Sequence, residues 1–133
     1  MIVNLLRFSF REDVGSADRE AVLAAMRRTA GVASAAFGTV GRDLGDPAEG
    51  YTHAYCVGID DLEALERYLH DPVHLAGDHE ILPRLARLSA VRFTDDGDPA
   101  IGTEIAALHQ AKLARYPEWA SLLDAIPQAD VHA

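Results

Sequence analysis

The chain has 133 residues, of which 49% are hydrophobic and 25% are charged, and its formal net charge is −9. This length and balance are typical of one globular domain. The negative charge argues against nucleic acid or an anionic membrane surface as a partner, because clusters of Lys and Arg bind both. No run of residues approaches the roughly 18 apolar positions of a membrane span.

The N-terminal segment MIVNLLRFSFRED becomes charged after a few apolar residues and lacks the long apolar run of a signal peptide. It therefore predicts a cytoplasmic protein. The single cysteine, Cys56, allows no intramolecular disulfide and does not suggest an oxidising compartment. We expect it to be a small buried thiol that faces the covering helices.

The first half of the chain alternates between strand and helix patterns. Period-two alternation predicts a strand over 2–10, with bulky apolar residues on both of its faces. An N-cap serine, an apolar stripe and a terminal glycine predict a helix over 17–30. Further strands are predicted over 32–40 and 51–59. The loop between them, 41–50, lacks phosphate-loop spacing, and its acids are expected to form a solvated hairpin.

The second half begins with a helix that an aspartate at position 60 or 61 caps and that Pro72 ends. The pattern after it is helical but interrupted by Pro83, and a short strand follows over 88–93. Beyond a linker, a helix over 101–115 and a short helix from Pro117 form a tail. The last six residues are expected to be frayed.

This order, β-α-β-β-α-β with a helical tail, predicts a ferredoxin-like α+β fold with an antiparallel sheet and helices on one face. The other face is expected to be bare, although the predicted strands direct large apolar side chains towards it: Leu6, Phe8, Phe10, Tyr55 and Val57. An apolar patch of that kind marks an interface or a ligand site. A homodimer whose two sheets close on each other, with a small apolar pocket beneath each sheet, is the predicted solution.

Three segments, MIVNLLRFSF, GYTHAY and YLHDPVHLA, resemble the stress-responsive A/B barrel domain (Dabb) family in their order and spacing. The resemblance covers residues 1–94. Residues 95–133 are then a C-terminal helical extension packed on the same domain. Because the family belongs to the dimeric α+β barrel superfamily, the resemblance implies the same fold and a homodimer.

The resemblance also implies candidate catalytic residues. In a plant polyketide cyclase of the family, an intramolecular aldol condensation uses a tyrosine and a histidine that match Tyr68 and His74. A strand histidine of that enzyme matches His53. A first-strand histidine common in the family falls on Asn4, whose amide can form hydrogen bonds but cannot shuttle a proton.

The chemistry that the resemblance implies needs one base that removes a proton and one hydrogen-bond donor. His74 would remove a proton from an activated carbon, and Tyr68 would donate a hydrogen bond to the developing oxyanion. Residue type and spacing alone favour structural roles instead, in which His74 caps or packs beneath the broken helix and Tyr68 is a core aromatic residue. The expected substrate-binding residues are Asn4, Leu6, Phe8, His53, Tyr55, Val57 and Leu85. His53 is equally compatible with a structural hydrogen bond.

No metal site and no cofactor are predicted. His70 and His74 have the HxxxH spacing of a helical metal site, but Pro72 interrupts the helix between them. His70 is expected to end a helix, where a cation suits the helix dipole. His79 and His109 belong to no motif and are expected to face solvent.

Three functions remain open. The first is a cofactor-independent cyclase or lyase that acts by acid–base chemistry on a hydrophobic, polyketide-like carbonyl compound. The second is a non-catalytic, stress-related protein that binds such a small-molecule ligand. The third, by superfamily analogy alone, is a haem or metal protein. Trp119 could dock the last helix, extend the dimer interface or cover the pocket, and the sequence does not distinguish these roles.

Overall fold

The computed structural model describes residues 1–131, and within them five strands and five α-helices are formed. The strands are β1 (Ile2–Phe10), β2 (Phe37–Arg42), β3 (His53–Ile59), β4 (Leu85–Thr94) and β5 (Gln128–Val131). The helices are α1 (Ser16–Ala30), α2 (Leu62–Leu69), α3 (Pro72–Ile81), α4 (Ile101–Arg115) and α5 (Pro117–Asp124). None of these helices is long and apolar enough to cross a membrane.

The sheet follows the ferredoxin-like order, with β1 between β3 and β4 and with β2 outside β3. These three contacts are antiparallel, and the predicted fold is confirmed. At the other edge, β5 pairs parallel to β4, so the sheet is mixed rather than wholly antiparallel. Residues 128–131, expected to be frayed, form this strand because the edge of β4 offers unpaired backbone groups. Residues 132–133 lie outside the described residues.

A sharp turn joins α2 to α3. Pro72 ends α2, as predicted, and is also the first residue of α3, where no intrahelical hydrogen bond is needed from its nitrogen. Asp71 caps α3 because its Oδ1 accepts a 2.8 Å hydrogen bond from the backbone N–H of Val73. The turn brings Tyr68, at the end of α2, close to His74, in the first turn of α3.

The helices cover the sheet face that carries the larger apolar side chains, which corrects the predicted orientation. The even-numbered side chains of β1 point towards the helices, and Phe8 and Val57 are wholly buried there. The five residues expected on the bare face therefore lie beneath the helices: Leu6, Phe8, Phe10, Tyr55 and Val57. Alternation along a strand separates its two faces but does not say which face the helices will cover.

The open face of the sheet carries the odd-numbered residues of β1 and their cross-strand partners. Cys56 lies half-buried on this face. The prediction that it faces the covering helices is therefore wrong. Three large apolar side chains are exposed on it: Phe37, Val91 and Phe93. Phe37 packs over Gly58, where a Cβ would lie 2.0 Å from the ring. An exposed apolar patch of this kind is typical of an interface.

The acidic loop between β2 and β3 is a largely exposed hairpin, and two of its acids are anchored to the open face. The Nε of Arg7 donates a 2.6 Å hydrogen bond to Asp43, and the same guanidinium donates to Glu49. That guanidinium also lies 4.5 Å from the centre of the Tyr51 ring. Two of the loop's acids are therefore paired with a basic residue of β1, on the side of the sheet opposite the helices.

The C-terminal helices pack against α2 and α3. The Tyr116 hydroxyl lies 3.1 Å from Nδ1 of His70, which joins the start of α5 to the end of α2. Helix α4 turns His109 and Lys112 inwards, with 4% and 0% exposure, so the expectation that His109 faces solvent is wrong. Nδ1 of His109 donates a 2.9 Å hydrogen bond to the Ile105 carbonyl, which satisfies one ring nitrogen in the interior.

Candidate functional site

Two small cavities lie between the sheet and the helices. The first has a volume of about 60 Å³ beside α1, α2 and α3, and the second has about 80 Å³ and extends beneath α4 and α5. Five residues line both: Asn4, Leu6, His74, Asp78 and Leu82. Mostly apolar walls with a few convergent polar groups are typical of small-molecule sites.

Two tyrosine hydroxyls meet at the first cavity. Tyr55 projects from β3 and Tyr68 from α2, and their hydroxyls share a hydrogen bond. The side chains are 4% and 2% exposed. Burial raises the pKa of both hydroxyls, because their anions would lose hydration. Both tyrosines therefore stay protonated at neutral pH, and the pair has one hydroxyl hydrogen to donate to a third group.

His74 lies against Tyr68, with 4.4 Å between the ring centres. Its Nδ1 is 2.9 Å from the backbone carbonyl of Tyr68. A carbonyl can only accept, so Nδ1 carries the hydrogen and Nε2 of the neutral ring has a free lone pair. Burial lowers the pKa of His74, against the opposing effect of Asp78. The ring is therefore a neutral proton acceptor at pH 7.

A buried ion pair adjoins His74. Nε2 of His74 lies 3.6 Å from Oδ2 of Asp78, and the same oxygen lies 3.2 Å from Nζ of Lys112. The Lys112 side chain has no solvent exposure, and its Nζ lies 4.2 Å from the centre of the Trp119 ring. Burial lowers the pKa of Lys112, and the hydrogen-bonded Asp78 opposes this change.

The sequence interpretation missed Asp78 and Lys112, although each left a spacing signal. His74 and Asp78 are four residues apart on one face of α3. Ile105, His109 and Lys112 have the i, i+4, i+7 spacing of one face of α4, and all three are buried. Because a polar pair replaces apolar residues on these faces, the hydrophobic pattern gave no reason to place them inside.

Asn4 is the residue that the resemblance matches to a first-strand histidine of the family. Its side chain lines both cavities. Its Oδ1 is buried, and no donor among residues 1–131 reaches it. A buried acceptor without a partner in a cavity wall is suited to receive a hydrogen bond from a bound molecule.

Six of the nine predicted site residues line the first cavity: Asn4, Leu6, Tyr55, Tyr68, His74 and Leu85. Phe8 and Val57 instead belong to the closed core and do not line it. His53 also lies apart from it, with its ring 5.7 Å from that of Phe8 and its Nδ1 2.8 Å from the Thr52 hydroxyl. The structural alternative for His53 therefore fits its surroundings.

The two histidines of the HxxxH spacing make different contacts. His70 ends α2 and meets Tyr116, whereas His74 begins α3 and faces Asp78. Among residues 1–131, no group of three or more His, Cys, Asp and Glu side chains is arranged to hold a metal ion. Trp119 packs against the core and also contributes to the wall of the second cavity, so its position fits both docking of the last helix and covering of the pocket.

Comparison with solved structures finds the same fold in several proteins. A dimeric ferredoxin-like protein of unknown function from Thermobifida fusca is 28% identical, with a TM-score of 0.62, covering 70% of this chain and 89% of that one. A Dabb family protein from Mesorhizobium loti is 17% identical, with a TM-score of 0.63 and coverage of 72% and 97%. A hydroxynitrile lyase from Passiflora edulis is 17% identical, with a TM-score of 0.64 and coverage of 72% and 94%.

Comparison with curated proteins finds no match. A family model, the stress responsive A/B barrel domain (Dabb), matches residues 2–95. These residues include β1 to β4 and the turn that carries Tyr68 and His74. The resemblance drawn from the sequence segments is thereby confirmed, and the chain belongs to the stress-responsive A/B barrel domain family.

Proposed function

We propose that this protein binds a small apolar carbonyl compound between its sheet and helices and transfers a proton on it without a cofactor. His74 is the base, and Tyr68 is the hydrogen-bond donor. The observation that carries the proposal is the shared cavity wall, on which the two rings lie 4.4 Å apart and Nε2 of the neutral imidazole has a free lone pair.

Each step uses a group already in position. Nε2 of His74 removes a proton from a carbon next to the carbonyl, and the resulting enolate oxygen accepts a hydrogen bond from the tyrosine pair. The imidazolium then lies 3.6 Å from the Asp78 carboxylate, which stabilises its charge. The enolate carbon can attack a second carbonyl of the same molecule, as a cyclase requires, and the alkoxide formed from that carbonyl takes the proton back from the imidazolium. The reverse cleavage of a carbon–carbon bond, as in a lyase, needs the same two groups.

Cavity size restricts the substrate. Each cavity is smaller than the ~150 Å³ that accommodates benzene in an engineered protein core. A linear polyketide-like chain needs both cavities joined, so side chains of their common wall would have to move. A single-ring or short-chain aldehyde or ketone needs a smaller rearrangement. The Passiflora edulis hydroxynitrile lyase supports this choice of candidates, because it is a lyase with the same fold.

The test is turnover of a panel of such compounds and of short diketones by the wild type, His74→Ala and Tyr68→Phe. We expect loss of turnover in His74→Ala and reduced turnover in Tyr68→Phe, with ligand binding retained in both. His79→Ala is the matched control, since His79 is an exposed histidine of the same helix. Binding without turnover in the wild type would favour the second function, a ligand-binding protein without chemistry.

The open face supports a second proposal, a homodimer that closes sheet on sheet. Phe37, Val91 and Phe93 leave about half of their surface exposed there, at 48%, 47% and 57%. The Thermobifida fusca protein, which has this fold, is described as dimeric. Phe93→Asp places a charge in the patch and is expected to yield a monomer by light scattering, with Leu44→Asp as an exposed control. A wild-type monomer at micromolar concentration would refute the dimer.

The C-terminal extension supports a third proposal, that residues 95–133 and residues 1–94 form one folded unit. Strand β5 extends the sheet, and α4 supplies Lys112 to the interior. A single cooperative unfolding transition seen by both Trp119 fluorescence and far-UV circular dichroism is expected. Two separate transitions would contradict it.

A further inference from the structure

Lys112 is an unusual residue to find wholly buried. Its side chain has no solvent exposure. A lysine is almost never wholly buried unless its charge is paired with another group. Its ammonium lies 3.2 Å from the Asp78 carboxylate and 4.2 Å from the centre of the Trp119 ring. Both contacts favour the charged form. The lysine comes from α4, outside the residues that match the family, so the C-terminal extension brings a cation to the wall of the second cavity.

Lys112 affects His74 through Asp78, because the Asp78 carboxylate favours protonation of the imidazole beside it. Nε2 of His74 has its lone pair within 3.6 Å of the carboxylate oxygen, and Nδ1 holds the ring hydrogen on the Tyr68 carbonyl. A carboxylate without a counter-charge would attract a second proton onto the imidazole. An imidazolium cannot accept a proton, so the pocket would lose its base.

Other charged or titratable groups also surround His74. Besides Asp78 and Lys112 they are Asp71 at the N-cap of α3, Tyr68 of α2, Tyr55 of β3, Arg92 of β4 and His109 of α4. His109 has a pKa lowered to about 4 by burial and adds no charge at neutral pH. Both tyrosines are protonated. Lys112 alone among the described residues forms a direct ion pair with the Asp78 oxygen that faces the imidazole.

We propose that Lys112 is the positioning residue of this pocket: its ammonium neutralises the Asp78 carboxylate and thereby keeps Nε2 of His74 free to accept a proton. Lys112 need not touch the substrate, because it acts through Asp78. That His74 serves as a base rests on the proposed function. The influence of Lys112 on the titration of His74 does not, and it can be measured without a substrate.

The experiment is a histidine side-chain NMR titration of the whole protein from about pH 5 to 8. The His74 signal is assigned by its loss in His74→Gln. In Lys112→Met we expect His74 to titrate at higher pH than in the wild type, since Asp78 is left without a counter-charge. Lys112→Arg keeps the charge and should restore the wild-type titration. A folded Lys112→Met protein whose His74 titrates at or below the wild-type pH would overturn the proposal.

Lys112→Met leaves a carboxylate buried without a partner, which is strongly destabilising. If this variant does not fold, Lys112→Gln takes its place, because its amide can still donate a hydrogen bond to Asp78 but carries no charge. His74 must then titrate at higher pH in Lys112→Gln than in the wild type. An unchanged titration in the folded variant would refute the role of Lys112.

The same variants separate this inference from the proposed function. If turnover is found, the acidic limb of the kcat/KM profile should move to higher pH in Lys112→Met, together with the His74 titration. If no substrate is turned over but the titration moves as expected, the enzymatic proposal fails and the role of Lys112 stands.

Discussion

Removing one hydroxyl of the buried tyrosine pair is expected to cost more stability than removing both. In Tyr68→Phe, the Tyr55 hydroxyl loses its partner in an interior where its side chain is only 4% exposed. In Tyr55→Phe, the Tyr68 hydroxyl is likewise left buried without its hydrogen-bond partner. The double variant Tyr55→Phe/Tyr68→Phe leaves no unpaired hydroxyl, because each phenylalanine keeps the ring and its packing.

The size of the effect follows from the desolvation of the orphaned group. A buried polar group without a partner costs about 1–3 kcal/mol, whereas replacing both partners by apolar groups is nearly neutral. We therefore expect each single variant to lose roughly 2 kcal/mol of unfolding free energy and the double variant to lose less than either. The corresponding loss of Tm is roughly 4 °C per kcal/mol for a chain of this size.

Urea denaturation at one fixed protein concentration measures the four members of this cycle, because oligomerisation would otherwise change the apparent stability. Tyr51→Phe, at a half-buried tyrosine that stacks on Arg7, controls for hydroxyl removal as such. The reasoning is refuted if the losses of the two single variants add up in the double variant. Additivity would mean that the two hydroxyls do not depend on each other.

Three further changes test the same interior. Asn4→Leu removes a buried acceptor that no described residue satisfies, and should raise the unfolding free energy by about 1 kcal/mol in urea; a loss would indicate a missing partner. Leu85→Ala, at a wholly buried wall residue, should cost about 2–5 kcal/mol, whereas Leu44→Ala at 85% exposure should cost almost nothing. His109 has a folded pKa of about 4 against 6.5, so protons bind the unfolded chain first and stability falls as pH drops between these values. His109→Gln should flatten this part of the pH–stability curve by up to roughly 3 kcal/mol, and an unchanged slope would contradict a neutral buried His109.

The local features of the chain followed from its sequence. Alternation identified β1, capping and proline rules identified α1, α2 and the broken helix at Pro83, and their order identified the ferredoxin-like sheet. Segment similarity added the pair Tyr68 and His74, which the turn at Pro72 brings together. These features depend on neighbouring residues or on motifs with fixed spacing, so one sequence is sufficient to predict them.

Only the tertiary structure decided which face of the sheet is covered and what completes the pocket. Period-two alternation is symmetric between the two faces, so it could not place Phe8, Val57 or Cys56 on the correct side. The addition of β5 to the sheet edge needed a distant strand as its template. The spacing of Lys112 with Ile105 and His109 was not sufficient to place it inside, because a lysine is normally solvent-exposed. It becomes an interior residue only when α4 packs against α2 and places the Lys112 ammonium on Asp78, 34 positions earlier in the chain.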